Sequence, residues 1–198
     1  MKVNFVKTFI PAKDFVAVEK VGNKMLVRFD AVKDEDTDAY SCVEGSVSAS
    51  EYNEQEMRRE YEAWKQKWAE KALVLAKKAK IAEIAAYDTS DRVNGFMLNG
   101  LLVWLDKATR VGLMNSTTIA KAAGQETTTL WLGDVKLEVD CDKAIQLLSA
   151  LEMYAMSCFN VTAAHKKAVS ELKTIKEVEA FDVTADYPKQ LEMKLQND

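Results

Sequence analysis

Residues 98–115, LNGLLVWLDKATRVGLMN, decide how this chain is read. The Asn99-Gly100 pair inside an apolar run predicts a tight β-hairpin, because both residues accept the positive φ that such turns require. Asp106, Lys107, Thr109 and Arg110 then crowd together, which suggests either a reactive cluster or the opening of a helix. The neighbouring sequence favours the helix. Ala108, Val111, Met114, Thr118 and Ala122 recur at helical spacing, and Gly124 marks the stop. In that setting Asp106 is an N-cap, accepting from the free first-turn N–H groups and favouring the positive end of the helix dipole. An exposed first-turn carboxylate is not a poised base. Lys107 and Arg110 make a poor anion site beside it.

The same order follows again. Residues 127–140, TTTLWLGDVKLEVD, form a second hairpin turning at Gly133-Asp134, and lead directly into CDKAIQLLSALEMYAMSCFNVTAAHKKAVSELK. Ala144, Leu148, Leu151, Ala155, Cys158, Thr162, His165, Val169 and Leu172 alternate by four and three, the spacing of a helix packed along another helix. Asp142, or Asp140 just before it, is the cap; setting WLDKAT beside CDKAI aligns Asp106 with Asp142, at the cost of a two-residue gap. A short helix over TIKEVEAF and a closing strand over QLEMKL complete the region 92–198.

Upstream, residues 1–48 read as a small β-meander. FVAVEKV and KMLVRFDAV flank Gly22-Asn23, and YSCVEGSV follows an acidic loop. From Ser50 the composition changes. Residues 50–87 lack Gly and Pro, begin with Ser50 and acidic residues, and carry Met57, Tyr61, Trp64, Trp68, Ala72, Leu75, Ala79, Ala82 and Ala86 at spacings of three and four. This predicts one amphipathic helix of about ten turns, roughly 50 Å long. So long a helix exceeds what 48 residues of β-structure can cover, and part of it must pack on the C-terminal region or on another chain. Met57, Tyr61, Trp64, Trp68 and Leu75 are the candidates for self-association or partner contact. The expected class is α+β, in three segments: 1–48, 50–87 and 92–198.

Composition narrows the chemistry. The balance of 27 basic against 31 acidic residues speaks against a protein that coats nucleic acid. Lys65, Lys67, Lys71, Lys77, Lys78 and Lys80 read as the solvated face opposite the apolar stripe. Three cysteines, Cys42, Cys141 and Cys158, lack CxxC spacing and read as buried reduced thiols. His165 is the only histidine, no His-His, His-Cys or Cys-Cys pair has metal-ligand spacing, and no GxSxG elbow accompanies it. Phosphate-binding GxxxxGK[ST] and GxGxxG loops are missing. Asp34, Glu35, Asp36 and Asp38 suit a solvated loop better than a calcium loop, which needs a glycine. No catalytic residue, cofactor or metal site is expected. A nucleotide- or glycan-directed enzyme would have to use scattered carboxylates such as Glu126 and Asp134. No leader peptide or membrane span is expected either.

From about Lys80 onward the chain resembles an uncharacterised phage- and prophage-associated family, domain of unknown function 4376. KIAEIAAYDTS, VNGFMLNGLLVWLDKATRVGLMNS, KAAGQETTTLWLG, AIQLLSALEMYAMSCFNVTAAHKKAV and TIKEVEAFDVTADYP carry the likeness. WLDKATRVGL and CFNVTAAHKKAV are similar to the version found in Bacteroidales and their phages. The resemblance implies no activity. It implies a setting among phage tail genes, near fibres, and the overall layout is similar to tail-fibre assembly proteins. The expectation is a non-enzymatic tail component, made in the bacterial cytoplasm and carried in the virion, whose partners are fibre or baseplate proteins, with a second copy bound through the 50–87 helix as a further candidate. The alternative is an assembly chaperone absent from the finished particle.

Overall fold

The computed structural model describes residues 1–133 and 135–194. The chain is α+β and divides into two compact units, Met1–Ala72 and Leu73–Asp198. The long helix is therefore not a module of its own: each unit holds part of it.

In the first unit, β1 (Asn4–Pro11), β2 (Val18–Val21), β3 (Lys24–Asp34) and β4 (Ala39–Ser48) form an antiparallel sheet in the order β1-β4-β3-β2. Strands β2 to β4 are the expected meander, turning at Gly22 with φ +57°. The first strand, β1, was not anticipated. It runs beside β4 from Asn4↔Ser46 to Pro11↔Ala39, and its proline is tolerated because the strand is at the edge. A bulge between Phe29 and Val32 puts Asp30 at φ +47°. The 34–38 loop is self-contained: Asp34 Oδ1 accepts from the Asp36 N–H, and Lys33 pairs with Asp38.

Helix α1 (Glu54–Asp88) starts four residues later than Ser50 suggests. Asn53 is the residue whose side chain accepts from the Glu56 N–H at 3.0 Å, while Ser50 is held in a turn by the Ser48 hydroxyl. Val27, Phe29, Val43, Val47, Met57 and Tyr61 make the core under the helix. Gly45 is required there: a Cβ would come within 2.6 Å of the Met57 methyl and 2.7 Å of the Phe5 ring.

The apolar stripe of α1 does not run through as one line. Met57, Tyr61 and Trp64 serve the sheet. In the second unit Ile84 is buried instead, with Ile81 and Tyr87 partly buried beside it, whereas Leu75, Ala79, Ala82 and Ala86 are exposed. Alanines are nearly neutral markers of burial. The isoleucines, which lie off the predicted stripe, gain more from leaving water.

The second unit contains β5 (Phe96–Leu98), β6 (Leu101–Val103), α2 (Lys107–Ala122), β7 (Thr127–Leu132), β8 (Val135–Asp140), α3 (Cys141–Glu171), α4 (Ile175–Ala180) and β9 (Glu192–Met193). Asn99 and Gly100 turn the first hairpin at φ +49° and +83°. Strand β9 closes the region by pairing parallel to β5, giving the order β6-β5-β9, and β7 pairs with β8. Two hairpin-plus-helix units are thus present. Phe96, Leu98, Leu130, Leu132, Leu148 and Leu151 centre the core.

Helix α3 buries nearly the expected seam, with Leu147 and Tyr154 added. Helix α2 buries a different face from the one its apolar spacing suggests: Arg110, Leu113, Met114 and Thr117 turn inward, while Ala108, Val111, Thr118 and Ala122 are exposed. It ends in a Schellman arrangement at Gly124, φ +85°, with Gln125 N–H on Ala120 O and Gly124 N–H on Lys121 O. All three cysteines are free and buried. Among the described residues no helix is long and apolar enough to cross a membrane.

Candidate functional site

The self-association candidates separate by burial. Met57 and Tyr61 are 0% and 3% exposed, so both are consumed by their own unit. Tyr61 stacks on Phe29 at 4.1 Å between ring centroids, and its hydroxyl donates to Asp30 at 2.9 Å. Trp64 is half-buried against Phe5. Trp68 at 45% and Leu75 at 57% remain at the surface.

The bulge in β3 explains the Tyr61 bond, because it aims Asp30 at α1, where the carboxylate also accepts from Lys65 at 2.7 Å. Lys65 first, then Tyr61, hold the Asp30 carboxyl below its usual range. A shallow cavity of about 280 Å³ beside them is lined by Arg28, Phe29, Arg58 and Glu62 as well as Asp30 and Tyr61. Its charges of both signs converge on no common point, and the arrangement is a structural tie between sheet and helix.

The two predicted caps separate also. Asp106 caps α2, with Oδ1 accepting from the Thr109 N–H at 2.9 Å and Oδ2 from the Thr109 hydroxyl at 2.7 Å. These bonds, the hydroxyl's first, hold its carboxyl below the usual range. Asp142 does not cap α3. Asp140 does, accepting from the N–H groups of Asp142 at 2.8 Å and Lys143 at 3.3 Å. Strand β8 ends on the residue that opens the helix, so Asp142 already lies in the first turn, where it pairs with Lys121.

Arg110, four residues past the Asp106 cap, is the buried charge of this region. Its Nε donates to Glu152 and its Nη1 to Leu105 O, both at 2.7 Å, and its guanidinium lies 5.3 Å from the Trp104 ring. The cluster in the opening sequence is therefore a helix start plus an inter-helix lock.

A second polar junction, unanticipated from sequence, ties α1, α3 and the 181–187 segment. Thr162 donates to Asp88 at 2.6 Å, which leaves Tyr187 to donate to Thr162, also at 2.6 Å. Asp88 ends α1, where a carboxylate opposes the helix dipole, and the threonine hydroxyl offsets that cost. His165 sits one turn along α3, its ring edge-on to Phe181 and Tyr187, and its Nδ1 makes no hydrogen bond among the described residues. Burial pushes the Cys158 thiol and the Tyr187 hydroxyl up, which makes both poorer nucleophiles. This arrangement joins three segments; it presents no activated group to solvent. Among the described residues, no group of three His, Cys, Asp or Glu side chains is placed to hold a metal ion. Asp134, a carboxylate of the enzyme alternative, lies outside the described residues, and Glu126 is exposed.

What the surface does present is apolar. On the first unit, Phe9 and Val32 are 74% and 67% exposed. On α3, Met153, Met156 and Phe159 are 61%, 48% and 70% exposed.

The family described as Domain of unknown function (DUF4376) matches residues 75–185, more than half of the chain. The chain belongs to the DUF4376 family. The match begins two residues into the second compact unit and takes in both hairpin-plus-helix units and α4, so the DUF4376 domain is a structural unit here. Tyr187 and β9 lie just beyond the matched residues, yet the first completes the Thr162 junction and the second completes the β5 sheet. No curated protein and no solved structure is matched by the chain.

Of the residues that carry these features, Phe159, Met156 and Arg110 left a trace in the sequence as residues off the expected apolar lines. Phe9 left none, because an alternating strand shows two faces and not which of them is covered.

Proposed function

We propose that the protein is a non-enzymatic phage or prophage tail component, associated with fibre or baseplate, that works through protein–protein contact. The observation that carries this reading is the open end of the N-terminal sheet. Phe9 and Val32 are both cross-strand neighbours of Ser41, so they share one face of the sheet. Helix α1 covers the rows nearer its start, where Trp64 lies against Phe5 and Trp68 under Lys7. It leaves the Phe9 row to solvent. Two large apolar side chains flanking the small Ser41 on one face of a sheet suit contact with another protein better than they suit water. The family resemblance supplies the setting, since such domains tend to be encoded among phage tail genes.

Mass spectrometry of purified virions tests this. Stoichiometric presence is expected, with incorporation lost in a folded Phe9→Ser/Val32→Ser variant. Absence from virions, with co-purification alongside fibre subunits from infected cells, would overturn it in favour of an assembly chaperone.

A further inference from the structure

We infer that the second half of α3 is a self-association surface, on which Met156, Phe159 and Ala163 pack antiparallel against the same residues of a second copy. Helix α3 has 31 residues and α2 has 16. Both ends of α2 are tied to α3, Arg110 to Glu152 and Lys121 to Asp142. So α2 runs antiparallel along α3 and reaches only as far as Glu152. Ile145, Ser149 and Glu152 mark that side of α3 at spacings of four and three. The same line continues through Met156, Phe159, Ala163 and Lys166. Here no α2 covers it: Met156, Phe159 and Ala163 are exposed, with Met153 alongside.

The charges choose the occupant and its direction. Glu152 closes the apolar stretch at one end, and Lys166 and Lys167 close it at the other. Pairing two copies antiparallel about a twofold axis between Phe159 and Asn160 sets Glu152 opposite Lys167 on both sides, and Met156 opposite the small Ala163. Parallel pairing would set Glu152 against Glu152. A twofold contact of this kind is self-complementary and closed. Three large side chains fall short of the roughly 800 Å² per partner of a standard interface, so association in the micromolar range is expected. This inference does not depend on the tail assignment.

Sedimentation equilibrium of the full chain over a range of micromolar concentrations is the test. The mass should rise from 22.2 kDa toward twice that value. Met156→Ser/Phe159→Ser should hold it at the monomer, Lys167→Glu should weaken association several-fold, and Trp68→Ser/Leu75→Ser should leave it unchanged. These positions are exposed, so circular dichroism should show all variants folded. A monomer at every concentration would overturn the inference, as would a dimer that survives Met156→Ser/Phe159→Ser. For direction, Met156→Cys and Ala163→Cys variants, mixed and oxidised, should cross-link as a heterodimer. Cross-linking of Met156→Cys with itself alone would overturn the antiparallel arrangement.

Discussion

The two hairpin-plus-helix units of the DUF4376 domain follow one plan with different materials. Measured from their caps, Asp106 and Asp140, the inward positions fall at the same steps. Four residues on stand Arg110 and Ala144; seven and eight on, Leu113 with Met114 and Leu147 with Leu148; eleven on, Thr117 and Leu151. Aligning the two Asp-Lys-Ala triplets instead would match buried Arg110 with exposed Gln146. The structural correspondence is therefore between caps, two residues away from the sequence match. Counted from its cap, each helix turns the same steps inward, α2 toward α3 and β7 and α3 toward β7 and β8, whether those steps carry arginine and threonine or alanine and leucine. The aliphatic version relies on burial alone; in the polar version Arg110 has Leu105 O and Glu152 as partners, whereas the Thr117 hydroxyl makes no hydrogen bond among the described residues.

That contrast can be broken most sharply at Leu151, which is fully buried. Leu151→Ala is expected to destabilise the chain by about 3 kcal/mol in chemical denaturation, through lost burial and the cavity left behind. A loss within experimental error would mean that α3 does not carry the core. Arg110→Ala comes next, at about 2 kcal/mol, because it removes a buried cation from Leu105 O and Glu152. Glu152 is half-exposed and regains water, which keeps the loss below that of a fully buried pair. Glu152→Gln should recover part of the stability of Arg110→Ala in a double-mutant cycle.

Smaller effects test the caps. Asp140→Ala is expected to cost about 1 kcal/mol, with Asp142→Ala close to neutral; the reverse order would restore Asp142 as the cap. Asp106 has a pH signature. Its carboxyl is held below the ordinary value in the folded state, so its contribution is complete above that ordinary value and is lost as pH falls through the lowered one. The gap in melting temperature between the wild type and Asp106→Asn should close between mildly acidic pH and strongly acidic pH, and stay constant above pH ~6. The smallest effect favours the variant. Thr117 Oγ1 is buried and makes no hydrogen bond among the described residues, so Thr117→Val should be neutral or stabilise by up to about 1 kcal/mol.

Much of this architecture was legible in the sequence because local chemistry dictates it. Asn99-Gly100 turns a hairpin wherever it stands between apolar runs. Asp106 caps because its side chain reaches its own first turn, and the α3 seam repeats over many turns. The cap of α3 stays open between Asp142 and Asp140 in the sequence because the two are equally good caps, and only the point where β8 ends decides for Asp140. The stripe of α1 was overextended because its second half is alanine, which fits an apolar line whether or not anything covers it.

What the sequence by itself determined, then, is the order of elements and their turns, set by contacts within a few residues, and the apolar repeat that marks one long seam. Only the tertiary structure decided which face of α1 is covered, that Arg110 and Thr117 point inward, that Asp88, Thr162 and Tyr187 meet, and that Met156 and Phe159 face solvent. Each of those depends on a partner tens of residues away. A side chain's own type does not say whether that partner arrives, since burial and hydrogen bonding are properties of the pair.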